Sequence, residues 1–280
     1  MKNKFISVRY PRTLLFLLLA LLQFNCKAQP APLAKGFAHN DYLHKHPLFD
    51  ALNNGFTNIE ADIFLKGNKL VIAHIFPFFK SKRTLESLYF KPLYQQVAEH
   101  NGKVFANYGK PVILMIDIKT GAENTYRVLV PLLEKYKSML THVEKGRIVY
   151  NAVTVVLSGH KPYALVGRDP RRLAFIDEDL RRVSHDSASV NLFPMASCKY
   201  SGILHWSGRG PIPANERLRL RNFVAIAHSR GSKVRLWASP ENQAVWDELL
   251  LDGVDLINTD QLTALRNYFT SNASVLAKAD

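Results

Sequence analysis

Short apolar segments alternate with stretches of helical spacing along most of this chain. The clearest is VILMIDI at residues 112–118, in which a single acid interrupts six apolar residues. An apolar run of this kind suits a parallel strand that is buried on both faces. The other candidate strands lie at residues 35–38, 57–64, 153–157, 173–176, 190–193, 233–238 and 254–258. Eight strands separated mostly by helices favour an α/β fold with one closed (β/α)8 barrel, a TIM barrel.

The alternative architecture is an open, doubly wound sheet. No glycine-rich phosphate loop follows any candidate strand, which weighs against that sheet. Residues 70–73 are predicted to form an antiparallel hairpin partner outside the barrel count, after a turn at residues 66–69. The Arg-rich segment at residues 159–221 carries the weakest periodicity, so we expect irregular structure there.

The first 28 residues have the pattern of an export signal. A basic start precedes the apolar run LLFLLLALL at residues 14–22, which is shorter than a membrane-spanning helix. We predict a signal peptide over residues 1–28 and one folded domain over residues 29–280. A lipoprotein signal, with Cys26 carrying the lipid, is the alternative, and an uncleaved N-terminal anchor is a third reading. Each reading predicts an exported protein, periplasmic or secreted.

The chain is basic, with a formal net charge of +14. Loss of the signal would remove five Lys and Arg residues and no acid, which leaves +9. This charge favours anionic substrates or a lipid at a membrane surface, whereas no aromatic-interleaved basic motif predicts nucleic-acid binding. Cys198 would be the only remaining cysteine, which excludes an intramolecular disulfide and a zinc–thiolate site. We expect a monomer.

Two acids stand one residue apart in the second candidate strand. Glu60 and Asp62 would point to the same face, where they repel each other unless a cation lies between them. Asp117 is the only charge in the third strand, and a lone buried acid is costly unless it is paired or metal-bound. An ion pair between Asp117 and Lys119 is the simpler account of that acid alone. With two acids on a neighbouring strand, metal binding explains the pattern better.

Three carboxylates predict one hard divalent cation. Mg²⁺ fits slightly better than Ca²⁺, and Zn²⁺ recruiting the nearby histidines is the alternative. His39 and His74 lie near the two ends of the same stretch, residues 36–74, and could serve as general acid and general base. A metal together with such a pair is typical of a site that cleaves phosphodiesters.

These motifs, in this order, resemble the superfamily of phospholipase C-like phosphodiesterases. That superfamily includes glycerophosphodiester phosphodiesterases and the sphingomyelin-cleaving phospholipase D toxins. The shared elements are His39, the G-x-x-x-I-E-x-D motif at residues 55–62, His74, the D-x-K motif at residues 117–119 and GVDLINTD at residues 253–260. The opening AHNDY and the Ser-Gly at residues 158–159 are most similar to a bacterial and fungal branch, whose fungal members are named for altered inheritance of mitochondria.

The sequence departs from glycerophosphodiesterases beside both histidines. Asn40 and Asp41 replace the Arg-Gly that follows the first histidine there, and Ile75 replaces an aspartate after the second. These differences argue against a glycerol head group and leave the metal-dependent chemistry untouched.

The resemblance also implies roles for individual residues. Glu60, Asp62 and Asp117 would hold the metal, and His39 and His74 would transfer protons. Lys119 would stabilise the developing charge on the phosphate. The residues expected at the substrate are Trp237, Asn40 and Asp41. Trp237 would wall the pocket, with a core tryptophan as the alternative, and the other two would orient His39.

Two other classes of function remain open from the sequence. One is a barrel that binds a phosphate or lipid without catalysis, and the presence of both histidines and all three acids argues against it. The other is a glycosidase that uses Glu60 and Asp62. Neighbours on one strand would not flank a glycosidic bond, so this is a poor fit.

Overall fold

The computed structural model describes residues 30–77, 82–183 and 191–272, and every structural statement below concerns these ranges. The predicted signal peptide, including Cys26, lies outside them. No helix in the described ranges is long and apolar enough to cross a membrane.

Eight parallel strands close into a barrel, which confirms the predicted α/β TIM-barrel class. The ring order is β1, β2, β4, β7, β8, β9, β10 and β11, and β11 pairs with β1 to close it. The strands are β1 (Leu33–Ala38), β2 (Phe56–Lys66), β3 (Lys69–Ile72), β4 (Val112–Ile118), β5 (His142–Glu144), β6 (Arg147–Val149), β7 (Val153–Gly159), β8 (Phe175–Asp179), β9 (Met195–Lys199), β10 (Lys233–Trp237) and β11 (Leu256–Thr259).

Strand β3 lies outside the ring, as predicted for residues 70–73. It pairs antiparallel with the end of β2, from Ile63 opposite Ile72 to Lys66 opposite Lys69. β2 therefore extends beyond the barrel, and the hairpin returns the chain toward the barrel mouth just before His74.

Helices follow most of the barrel strands. They are α1 (Phe49–Asn53), α2 (Lys91–Glu99), α3 (Ala122–Lys135), α4 (Tyr163–Arg168), α5 (Ala214–Ser229), α6 (Gln243–Leu251) and α7 (Leu262–Ser271). A π-helical turn, Glu86–Phe90, leads directly into α2, and Pro92 is the second residue of α2.

The apolar residues form two layers. One cluster fills the barrel interior and consists of Phe37, Ile113, Met115, Val143, Val156, Phe175, Met195 and Leu256, with Ile148 packed against it. Val143 and Ile148 come from the β5–β6 hairpin, which closes the barrel at the amino ends of its strands. A larger cluster lies between the strands and the surrounding helices.

Two strands differ from their predicted positions. The fifth was expected at residues 173–176 and is Phe175–Asp179, whose last three residues are acids. The sixth was expected at residues 190–193 and is Met195–Lys199; residues 191–192 form a turn, and Val190 lies outside the described ranges. Acids and the small residues of β9 have weak strand preference, so the more apolar neighbours gave the misleading signal.

Candidate active site

A cleft of about 470 Å³ opens at the carboxyl ends of the barrel strands. This is the end at which barrels of this type carry their sites. The cleft brings together all but one of the site residues predicted from the sequence. Those lining it are His39, Asn40, Glu60, Asp62, His74, Asp117, Lys119 and Trp237. The exception is Asp41.

Strand register explains why the three acids converge. Asp62 on β2 stands directly opposite Asp117 on β4, and Glu60 is two residues earlier on the same face of β2. One oxygen from each of the three carboxylates lies within 4.8 Å of the others. Asp62 and Asp117, which the sequence places in separate motifs, are therefore neighbours across the β2–β4 pair.

The chemistry of this cluster fits a hard divalent cation. Burial, followed by the negative charge of Glu60, raises the pKa of Asp62 to about 6. Oδ1 of Asp117 is buried and has no hydrogen-bond partner among the described residues. A carboxylate oxygen left without a donor and an acid whose charge is disfavoured both indicate that the cluster lacks positive charge. Three carboxylates supply the oxygen ligands such an ion prefers.

Lys119 already contributes one positive charge to the cluster. Its ammonium lies 3.1 Å from Oδ2 of Asp62 and 3.2 Å from Oδ2 of Asp117. Burial lowers the pKa of Lys119, but the two carboxylates outweigh this and the net pKa is raised. The ion pair considered from the sequence is therefore present, and it still leaves Oδ1 of Asp117 without a partner.

His39 is held by the carboxylate of Asp260, the residue that follows the last barrel strand, β11. Its Nδ1 lies 2.8 Å from Oδ1 of Asp260, which accepts a hydrogen bond from it, and its Nε2 lies 3.4 Å from Oε2 of Glu60. Burial lowers the pKa of His39, but the bond to Asp260 and the charge of Glu60 outweigh this and the pKa is raised. With Nδ1 engaged, Nε2 is the nitrogen directed toward the acids.

Asn40 continues the chain from His39 in a left-handed conformation, with φ of 46°. Asparagine tolerates this region better than most residues, and the turn directs its amide back over the site. Its Nδ2 donates to Asp260 at 3.2 Å and lies 2.9 Å from Nδ1 of His39. Asn40 therefore lies where it can orient His39.

Asp41 lies away from the cleft. It is fully buried, and its Oδ2 accepts hydrogen bonds from the backbone N–H of Leu48 at 2.6 Å and the hydroxyl of Tyr89 at 2.8 Å. The predicted role of Asp41 in contacting substrate or orienting His39 is not supported by this position. The carboxylate instead ties the chain after β1 to the segment before α1.

His74 meets the acids through a tyrosine that sequence reasoning left out. The hydroxyl of Tyr42 lies 2.9 Å from Nδ1 of His74, 2.7 Å from Oδ2 of Asp62 and 2.7 Å from Oδ1 of Asn40. When His74 donates from Nδ1 to the hydroxyl oxygen, the hydroxyl donates its own hydrogen bond to the carboxylate or to the amide oxygen. This leaves Nε2 of His74 free to accept a proton.

A buried arginine joins the site to the barrel interior. The guanidinium of Arg235 on β10 lies 3.6 Å from Oε1 of Glu60 and 4.1 Å from the ring centroid of Phe37. It also donates to Ser197 and Asn258, each at 3.2 Å. One side chain therefore contacts residues from four other barrel strands.

Trp237 lies at the rim of the cleft, as the pocket-wall prediction requires. Its side chain is at the end of β10 and is 37% exposed, so it is not a core tryptophan. The ammonium of Lys199, at the end of β9, lies 5.8 Å from the centroid of the indole ring.

Three residues of the site went unrecognised in the sequence. Arg235 had a usable signal, because it is a charge between two apolar residues within a predicted strand, as Asp117 is. Asp260 stands in the closing GVDLINTD motif without being assigned a role. Tyr42 stands in the AHNDY motif without being assigned a role, because its hydroxyl becomes functional only through the neighbours that the fold supplies.

Comparison with known proteins gives the family. Residues 26–177 match the model of the AIM6-like phosphodiesterase domain. Altered inheritance of mitochondria protein 6 of Eremothecium gossypii is 29% identical over 271 residues, which cover 84% of this chain and 69% of that protein. The protein of the same name from Lachancea thermotolerans is 28% identical, over 81% of this chain and 64% of its own length. A homolog from Arthroderma benhamiae is 27% identical, over 83% and 82%.

The match to the family model spans the barrel from β1 into β8 and includes both histidines, the three clustered acids and Lys119. It covers more than half of the chain, and the similarity to the fungal proteins extends through most of the remainder. A phosphodiesterase-like barrel with its polar cleft at the expected end agrees with that match. This chain belongs to the family of AIM6-like phosphodiesterase domains.

Proposed function

We propose that this protein is an exported, metal-dependent phosphodiesterase that cleaves a phosphodiester by acid–base catalysis with two histidines. The substrate is a phospholipid head group or a related diester. The observation that carries the proposal is the convergence of three carboxylate oxygens within 4.8 Å of one another in a cleft that also contains His39 and His74.

The metal would be held by Glu60, Asp62 and Asp117. The unpartnered Oδ1 of Asp117 and the raised pKa of Asp62 support this assignment, and we propose Mg²⁺, with Ca²⁺ and Zn²⁺ as the ions to compare. A divalent ion in such a site polarises a phosphoryl oxygen and neutralises its developing negative charge.

The proton transfers would fall to the two histidines. Asp260 engages Nδ1 of His39 and Tyr42 engages Nδ1 of His74, so each ring offers its Nε2. One histidine would take the proton of the nucleophile, which is water or a hydroxyl of the substrate, and the other would protonate the leaving oxygen. Lys119 would donate to a phosphoryl oxygen, because its ammonium already lies at the edge of the carboxylate cluster.

Hydrolysis of bis(p-nitrophenyl) phosphate tests the proposal. We expect turnover that EDTA abolishes and that added Mg²⁺ restores, with Ca²⁺ and Zn²⁺ as parallel additions. His39→Ala and His74→Ala should each lower kcat by at least about 100-fold, the lower end of what acid–base catalysis supplies. His142→Ala is the matched control, because His142 lies in the hairpin at the opposite end of the barrel.

The competing function is a barrel that binds phosphate or lipid without catalysis. The bonds from Lys119 to Asp62 and Asp117 favour it in one respect, since they partly compensate the acids without a metal. This binding function would be supported if the wild type turns over bis(p-nitrophenyl) phosphate and natural diesters no faster than His39→Ala does. A panel of lipid head groups and deacylated diesters followed by ³¹P NMR identifies the substrate and separates hydrolysis from a cyclic phosphate product.

A further inference from the structure

The cleft has two chemically different sides, set by the strand order. Glu60 and Asp62 belong to β2, and β9, which ends at Lys199, is four strands from β2 in either direction around the ring. Lys199 therefore lies across the barrel mouth from the carboxylate cluster. A substrate whose phosphate is held at the cluster would extend its second ester group toward β9.

The cations on the carboxylate side of the cleft lie against acids, whereas Lys199 does not. Lys119 lies against Asp62, and Arg235 lies 3.6 Å from Glu60. Among the described residues, no carboxylate lies within 4 Å of the Lys199 ammonium, which lies against the Trp237 ring. This ammonium is a cation at the cleft without an ion-pair partner in the described part of the chain.

A second ammonium lies at the cleft midway between the two sides. Lys161 follows β7, which is two strands from β2 and two from β9, and its Nζ donates to the backbone carbonyl of Asp177 at 2.8 Å. The carboxylates of Asp177 and Asp179 on β8 also attract this ammonium. Arg181 is held by Asp179 at 2.7 Å. Lys199 is therefore the cation that lies opposite the carboxylate cluster with no carboxylate of the described residues within 4 Å.

The register of the barrel joins Lys199 to Trp237. The two residues are direct partners in the β9–β10 pair, so the ammonium lies over the indole at 5.8 Å from its centroid. A quaternary ammonium bound by this indole would have to displace a cation that already uses the ring face. An anionic group would instead gain a charge-assisted hydrogen bond from the same ammonium.

We propose that the Lys199–Trp237 side of the cleft is a subsite for an anionic substituent, so that the preferred substrate is a phosphodiester carrying a second negative group, a phosphate or a carboxylate. This inference rests on the proposed phosphodiesterase function and specifies its substrate class. Lys199 is the residue that sets the preference.

A matched series of substrates tests the subsite. Three p-nitrophenyl phosphodiesters differ only in the second ester group, which is 2-phosphoethyl, ethyl or choline. We expect the wild type to have the highest kcat/KM on the phosphoethyl diester and the lowest on the choline diester. Lys199→Gln should lower the ratio of phosphoethyl to ethyl by about tenfold, the equivalent of one modest charge-assisted contact. Lys103→Gln, an exposed lysine outside the cleft, should leave that ratio unchanged.

A binding measurement keeps the subsite testable without turnover. The same three diesters are titrated calorimetrically into His39→Ala and into the double variant that also carries Lys199→Gln. The subsite is supported if the phosphoethyl diester binds more tightly than the other two and if Lys199→Gln abolishes this difference. This holds even where the wild type hydrolyses none of the diesters, because an absence of hydrolysis would refute only the catalytic proposal. The subsite is refuted if hydrolysis and binding are equal across the three diesters or favour the choline diester. It is also refuted if Lys199→Gln leaves the preference unchanged.

Discussion

Removing one hydroxyl, in Tyr42→Phe, tests how the site holds His74. The hydroxyl contacts Asp62, Asn40 and His74 at 2.7, 2.7 and 2.9 Å. The His74 side chain is 59% exposed, and its other polar neighbour, Asp62, is 3.9 Å away. The hydroxyl is therefore the principal restraint on that ring among the described residues.

The magnitude follows from the kind of bond that is lost. A hydrogen bond to a charged group stabilises by about 1.5–3 kcal/mol, and the phenyl ring of the variant still fills the space. We expect the free energy of unfolding in urea to fall by that amount. If the hydroxyl also sets the tautomer and direction of His74, kcat for diester hydrolysis should fall about 10- to 100-fold, with little change in KM.

Tyr89→Phe separates the two effects. Its hydroxyl also donates to a buried carboxylate, Oδ2 of Asp41 at 2.8 Å, away from the cleft. It should lose similar stability and keep its activity at temperatures where it remains folded. Wild-type kcat in Tyr42→Phe would refute the role assigned to the hydroxyl. An equal loss of activity in both variants would show that stability alone explains the effect.

Two further predictions concern positions near the site. Gly159→Ala should disturb the carboxylate cluster and weaken Mg²⁺ binding measured by calorimetry. The reason is that a Cβ at this residue, which has φ of +68°, would lie 2.2 Å from Oδ1 of Asp117. An unchanged affinity for Mg²⁺ would contradict this. Burial raises the pKa of Asp41 from 3.8 to about 6, so the folded state binds the extra proton and stability from this group falls as pH rises from about 4 through 6. Asp41→Asn should flatten that fall, by up to about 3 kcal/mol in urea unfolding at pH 4 to 7; identical pH profiles would refute it.

The barrel could be predicted from the sequence because the strands with the clearest sequence pattern are apolar on both faces. Residues 112–118 and 153–157 need to be buried by helices on one side and by the barrel interior on the other. The strands that were misplaced, β8 and β9, contribute polar side chains to the cleft instead. In β8, Asp177 and Glu178 are buried acids, which a pattern based on apolar residues cannot register as strand.

The candidate site likewise contains residues that the sequence predicted and residues that it did not. His39, Glu60, Asp62 and Asp117 were found because motif spacing reflects fixed positions at strand ends. Tyr42 contacts Asp62 and His74, 20 and 32 residues away, and Asp260 contacts His39, 221 residues away, when the last strand closes the ring. Asp41 was assigned to substrate by adjacency to His39, although the backbone turn at Asn40 sends it into the protein.

The two sides of the cleft come from different halves of the ring. His39, His74 and the three clustered acids precede β8, whereas Lys199 and Trp237 follow it. Two of the contacts that join the halves at the cleft are His39 with Asp260 and Glu60 with Arg235. The two proposals together imply that reaction chemistry and substrate choice are separable along the chain. A chimera that takes its second half from a relative and retains those two contacts would carry over the relative's preference for substrate while keeping the same reaction.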